Sequence, residues 1–189
     1  MRIITGSARG TKLFTREGDA TRPTAERTKE AIFSTLQFSI EGRRILDLFS
    51  GSGQLALEAL SRGAEFALMV DSSRDAVQII TRNAEKTHLA DRCRIECGEV
   101  KDRLYRMRQE PFDIVFIDPP YALGLVPSTL ALLLRYGRVK PTSYIVCETA
   151  AEEDVFGSDA ALADRFTVER AQRYGAAFVT ILRPKEEQV

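Results

Sequence analysis

Apolar residues along this chain fall into two rhythms: short continuous runs alternate with stretches where they recur every three or four positions. The continuous runs predict strands over 45–49, 66–71, 94–97, 112–118 and 144–148, and the spaced stretches predict helices over 54–61, 74–87, 127–136 and a short one near 100–108. Apolar strands separated by amphipathic helices indicate a parallel sheet covered on both faces. Two later runs, 166–169 and 177–182, have no long helix between them and read as a terminal antiparallel pair. Ahead of the repeat, residues 2–5 and 11–14 look like strands of a hairpin joined across Gly6 to Gly10. A helix follows with Ile32, Phe33 and Leu36 on one side; Thr24 is its expected N-cap, and it ends before Gly42. The expected organisation is a hairpin and helix over 1–42, followed by an α/β domain over 43–189.

Open α/β sheets bind ligands beyond the carboxyl ends of their strands. Three predicted strand ends carry acids or glycines here: the stretch from Asp47 to Gly53, Asp71, and Asp118. All three are expected to face one crevice. Gly51 and Gly53 permit positive φ and close backbone approach to a ligand. Asp71, 18 residues past Gly53, can accept both hydroxyls of a ribose. Residues 51–56 also satisfy the loose Gly-x-Gly-x-x-Gly/Ala dinucleotide pattern. Asp47 counts against that reading, since it would repel a pyrophosphate and welcome a cationic amino-acid group. The balance favours S-adenosyl-L-methionine.

The run 112–117 ends at Asp118-Pro119-Pro120-Tyr121. Both prolines hold φ near −65° (about) and lack an N–H, so the carbonyls before them stay out of regular structure. A carboxylate and free carbonyls beside the flat face of Tyr121 suit an exocyclic amine on a nucleobase, and hence chemistry at nitrogen.

Composition narrows the alternatives. His88 is the single histidine, and Cys93, Cys97 and Cys147 form no Cys-x-x-Cys pair, so neither a zinc site nor a Ser-His-Asp triad is expected. The cysteines read as buried free thiols, and His88 as a surface or capping residue near a helix end. No apolar stretch approaches the roughly 20 residues that span a bilayer, and the start of the chain lacks an export-like pattern, so a cytoplasmic protein is expected. Formal net charge is zero, yet residues 1–44 hold nine Lys/Arg against five Asp/Glu, a surplus of +4 balanced by −4 in the remainder. Arg9, Lys12, Arg22, Arg27 and Lys29 could meet phosphates or be ordinary surface charges. Phe14 and Phe33 read as core residues.

The stretch 47–53, the segment Leu57-Glu58-Ala59-Leu60-Ser61-Arg62-Gly63-Ala64 and Asp118-Pro119-Pro120-Tyr121 together resemble the bacterial 16S ribosomal RNA guanine-N2 methyltransferase family. Arg2-Ile3-Ile4-Thr5-Gly6, Arg9-Gly10, Leu13 and Arg22-Pro23-Thr24 with Arg27 are similar to that family's front end, and the likeness thins after Gly137. It implies a Rossmann-like class I adenosylmethionine-dependent methyltransferase: a seven-stranded, mostly parallel sheet with one reversed strand near the end and an N-terminal hairpin extension. Carried over, it implies that Asp47, Phe49, Gly51 and Gly53 line the methionine end of the cofactor. Asp71 with Ser72 would hold the ribose, and Gly98, Glu99 and Val100 would edge the adenine. Asp118, Pro119, Pro120 and Tyr121 would carry catalysis, with Arg9, Lys12, Arg22, Thr24 and Arg27 on the RNA. The implied partner is 16S rRNA in the small ribosomal subunit or an assembly intermediate. Gln54 and Glu99 depart from the family's more usual small residue and aspartate.

Two rivals remain at this point. Asp-Pro-Pro-Tyr serves any planar amine, so an amino-methyltransferase on DNA adenine or another RNA is open, although 189 residues leave no separate target-recognition domain. A non-catalytic RNA-binding or assembly module is the other, and the intact Asp118, Gly51 and Gly53 argue against it.

Overall fold

The computed structural model describes residues 1–15 and 23–186. Arg22 and the stretch expected to be flexible, 16–19, lie outside the described residues. Helix α1 (Pro23–Leu36) precedes β1 (Arg44–Leu48), α2 (Gln54–Ser61), β2 (Phe66–Asp71), α3 (Arg74–Lys86), β3 (Cys93–Cys97), α4 (Val100–Arg106) and β4 (Phe112–Ile117). Then come α5 (Leu125–Arg135), β5 (Val139–Thr149), the single turn α6 (Ala160–Ala163), β6 (Phe166–Tyr174) and β7 (Ala177–Pro184).

The seven strands form one sheet in the order β3-β2-β1-β4-β5-β7-β6. Pairs from β3 through β5 are parallel, while β7 runs antiparallel to both β5 and β6 and is the one reversed strand. β1 is flanked by β2 and β4, with Asp47 in register with Met69 on one side and Phe116 on the other. The order reverses direction beside β1, which is where a doubly wound sheet opens a crevice.

Side chains alternate along each strand, so the sheet has two cores. On one face Ile45, Met69 and Phe116 pack with Phe33, Leu57 and Ile80 from α1, α2 and α3. On the other, Leu46, Val70 and Ile117 pack with Leu104 and Leu130 from α4 and α5. β4 is buried throughout, whereas β6, at the edge, is exposed along most of its length. Its charged residues blunt an edge that could otherwise recruit another strand.

The N-terminal segment is stapled to α2. The fully buried Glu58 accepts from the backbone N–H groups of Ile4 (2.7 Å) and Thr5 (3.0 Å), and Ser61 Oγ accepts from Ala8 N–H at 3.0 Å. These bonds take up the backbone donors of Ile4, Thr5 and Ala8, so the two arms of the expected hairpin meet at one bridge, Arg2 with Lys12, rather than as regular strands. Ile3 N–H donates to the Thr11 carbonyl at 3.0 Å, Leu13 N–H to the Met1 carbonyl at 3.0 Å and Gly10 N–H to the Ile3 carbonyl at 2.8 Å. Lys29 is buried too: its Nζ donates to the Arg2 carbonyl at 2.5 Å and lies 3.6 Å from Glu58. It is therefore no surface charge.

Other expectations are corrected as well. Helix α1 starts at Pro23, so Thr24 lies in its first turn and is not the N-cap; proline's fixed φ and missing N–H suit the first helical position. Phe33 is core, but Phe14 is 37% exposed, with Arg82 at 4.1 Å and Lys86 at 4.3 Å from its ring centroid. All three cysteines are free; only Cys147 is buried, and Cys93 and Cys97 are half-buried. His88 does cap a helix. It takes φ 58 just past α3, with bonds from its own N–H to the Glu85 carbonyl and from Leu89 N–H to the Ala84 carbonyl.

Candidate active site

The turn after β1 is sharp because Phe49, Gly51 and Gly53 all take positive φ, at 65, 57 and 75. For Phe49, a bulky residue, this is strained backbone. The turn is held from several sides. Gly51 N–H donates to Asp71 Oδ2 at 2.8 Å, Gly53 N–H to the Ser50 carbonyl at 2.7 Å, and Asn83 Nδ2 to the Ser52 carbonyl at 2.9 Å. At Gly53 a Cβ would approach Ile80 and Met69 to 3.1 Å; at Gly51 it would meet nothing within 4 Å. Gly53 is thus needed for packing, while the Gly51 side opens onto free space.

Asp47 lies beneath the turn, 2% exposed, and its Oδ2 accepts from Ala56 N–H at 3.2 Å. Burial raises its pKa to about 7, with the nearby Asp71 adding to the rise and the Ala56 N–H opposing it. Asp71 ties the crevice wall together: Oδ1 accepts from Ser73 N–H at 2.9 Å, and its carbonyl accepts from Gly98 N–H at 2.9 Å. Beside it Ser72 and Glu99 are exposed and Val100 is buried.

Asp118 follows the last residue of β4. Burial pushes its carboxyl well above the usual range, and the charges of Glu148 and Asp47 push further. Pro119 is buried, Pro120 is exposed, and Tyr121 opens a short turn with 41% of its surface exposed. The Tyr121 hydroxyl donates to Glu148 Oε1 at 2.5 Å. Ile117 is in register with Cys147, so Asp118 and Glu148 leave adjacent parallel strands side by side. Burial raises the Glu148 carboxyl, and the Tyr121 hydroxyl partly offsets this. Asp118 accepts no hydrogen bond from the described residues.

The ends of β1, β2 and β4 thus meet as the sequence suggested, through the Gly51–Asp71 bond and the charge interaction of Asp47 with Asp118. Glu148, at the end of β5, is the residue that sequence reasoning missed. The signal was available: Glu148 is the acid that ends the expected strand 144–148, next to the last residue of β5, as Asp71 closes β2 and as Asp118 follows β4. Of the residues assigned to RNA, Arg9, Lys12 and Arg27 are exposed. Thr24 lies in the first turn of α1, and Arg22 is outside the described residues.

Residues 1–183 match the model of the family described as conserved hypothetical protein 95. Ribosomal RNA small subunit methyltransferase D of Escherichia coli strain K12 is 36% identical over 152 residues, 80% of this chain and 76% of that protein. The solved structure of yhhF from Escherichia coli is similar with a TM-score of 0.84 at 30% identity, covering 99% of both chains. The structure of SMU.776 complexed with SAH covers 82% of this chain and 49% of its own at a TM-score of 0.66; at 18% identity it shares the fold. The architecture is the Rossmann-like fold of the adenosylmethionine-dependent methyltransferases.

Proposed function

The chain is an adenosylmethionine-dependent methyltransferase of the family described as conserved hypothetical protein 95, the family of the ribosomal RNA small subunit methyltransferases D, and we propose that it methylates the N2 amine of a guanine in 16S rRNA of the small subunit. The observation that carries this reading is the shelf at the end of β4: an unpartnered Asp118 carboxyl beside the half-exposed face of Tyr121, one strand from the glycine turn.

The crevice fits S-adenosylmethionine. The space over Gly51 is open, and the buried Asp47, whose carboxyl is held near neutral titration, gains from a cationic amino group. Asp47, Phe49, Gly51 and Gly53 would hold the methionine end, Asp71 and Ser72 the ribose, and Gly98, Glu99 and Val100 the adenine edge. When bound, this group supplies a methyl carbon on positive sulfur; the new N–C bond forms as the C–S bond breaks and its electron pair returns to sulfur.

The protein's own part is alignment and charge. Guanine N2 is a poor nucleophile because its lone pair is delocalised into the ring. Accepting an N2–H at Asp118, and another at the Pro119 carbonyl, directs that lone pair toward the methyl group and stabilises positive charge as it develops on nitrogen. The proton that the nitrogen then loses passes to the Asp118–Glu148 pair. A stacked base cannot enter, so the guanine is taken from a loop or flipped out, with Tyr121 replacing its stacking partner at about 1–3 kcal/mol per base. Residues 1–42 would form the RNA-facing extension, and the exposed Arg9, Lys12 and Arg27 support that role.

The test is methyl transfer from labelled S-adenosylmethionine to small subunits from cells lacking the protein, with naked rRNA and DNA alongside. Label is expected on guanine N2 of 16S rRNA and lost in Asp118→Ala with SAH binding retained. Label in DNA alone, or full-rate transfer by Asp118→Ala, would reject the reading.

A further inference from the structure

Glu148 has a place in the crevice and no task in the scheme above beyond sharing a proton. We propose that it is a specificity-determining residue: its carboxylate takes the N1–H of the target guanine while Asp118 takes the N2 amine, and the pair thereby selects guanine over adenine. This rests on the guanine reading.

Three structural relationships support it. The register of Ile117 with Cys147 sets Asp118 and Glu148 at neighbouring strand ends, so two acceptor groups stand at the spacing of adjacent strands. The Tyr121 hydroxyl occupies Glu148 Oε1, which anchors the carboxylate to the residue assigned to stack on the base. Among the described residues nothing donates to Glu148 Oε2 or to either Asp118 oxygen, and no lysine or arginine pairs with these two acids. The shelf therefore offers carboxylate acceptors to whatever edge enters.

That pattern fits one purine edge. Guanine presents N1–H and the N2 amine side by side, all donors. Adenine presents its amine beside N1, which is an acceptor, and cytosine presents its amine beside the acceptor N3. Either would set a ring lone pair against an ionised carboxylate in a partly dehydrated site, where an unpaired polar contact is costly. The donated Tyr121 hydroxyl favours ionised Glu148 against the burial that raises its carboxyl, and a carboxyl held by that donor presents its other oxygen as an acceptor.

2-Aminopurine separates this role from a structural one, because it keeps the exocyclic amine but has no proton on N1. Small-subunit particles reconstituted with 2-aminopurine at the methylated position would be compared with guanine particles. Wild-type kcat/KM should favour guanine by at least about 100-fold. In Glu148→Gln, whose amide can turn either an acceptor or a donor to the ring nitrogen, the ratio should fall to within about tenfold. Glu148→Asp should restore the preference at reduced rate. Particle binding in the presence of SAH, read from quenching of 2-aminopurine fluorescence on stacking, should tighten in Glu148→Gln relative to wild type. SAH affinity reports folding of each variant. An unchanged ratio in a Glu148→Gln protein that binds SAH normally overturns the inference while leaving guanine methylation intact. No transfer to guanine by the wild type overturns the underlying reading and the inference with it.

Discussion

Asn83 of α3 donates its side-chain amide to the carbonyl of Ser52, 2.9 Å away in the middle of the glycine turn. The same amide donates to the Phe14 carbonyl at 3.0 Å, and its oxygen accepts from Phe14 N–H at 2.8 Å. One fully buried side chain thus joins the N-terminal segment, α3 and the turn. Replacing it by leucine, of similar volume, strands three backbone groups at about 1–3 kcal/mol for each that stays buried. Asn83→Leu should lose at least about 2 kcal/mol in urea unfolding. Unchanged stability would show that water reaches those groups.

Glu58 holds a second junction. It accepts from Arg62 Nε at 2.8 Å in addition to Ile4 and Thr5, and it lies against Lys29, whose pKa is lowered by burial and supported by Glu58. Removing one partner leaves an uncompensated buried charge, so Glu58→Ala should cost about 3–5 kcal/mol. Adding Lys29→Met to Glu58→Ala should recover part of that loss. Equal unfolding midpoints for the single and double variants would contradict the pairing.

Asp47 makes stability depend on pH. Its folded pKa, about 7, lies above the ordinary aspartate value of 3.8, so the folded state holds the proton more tightly. The stabilising contribution is complete below pH 3.8 and is lost as pH rises toward 7. Asp47→Asn keeps an acceptor for Ala56 N–H and removes the titration. In the ligand-free protein the variant should become the more stable of the two as pH climbs from 4 to 8, by a few kcal/mol at most (roughly 1.4 kcal/mol per pKa unit). Parallel melting curves across that range would refute the shift.

His88 spends a non-glycine residue on a left-handed helix end, φ 58, while its side chain is exposed. His88→Gly removes that strain and should gain about 0.5–1 kcal/mol, read as a higher melting temperature. A loss would mean that the imidazole contributes a contact of its own.

What could be read along the chain was whatever burial makes local. The helix over 54–61 and the strand over 66–71 match α2 and β2 residue for residue, because their apolar faces alone set them. β6 was read only as far as 169 although it runs to Tyr174, since an edge strand of charged residues carries no apolar rhythm. Lys29 looked like any helix-face cation; its burial depends on Glu58, 29 positions away, which no local pattern signals. Asn83 was invisible for the same reason, its partners being 31 and 69 positions distant. In the crevice the glycine turn and Asp118 were legible because each sits at a strand end. Glu148 carried the same strand-end signal, but setting it beside Asp118 required knowing that β5 lies next to β4.

The acids that crowd the ends of β1, β4 and β5 also bear on turnover. Before transfer the methyl donor carries a net positive charge; afterwards, as a thioether, it carries none. Buried carboxyls that a neighbouring cation draws into their ionised form grip the first form more strongly than the second. Each transfer therefore discards the attraction that held the donor, and the spent cofactor leaves a site that no longer favours it over fresh supply.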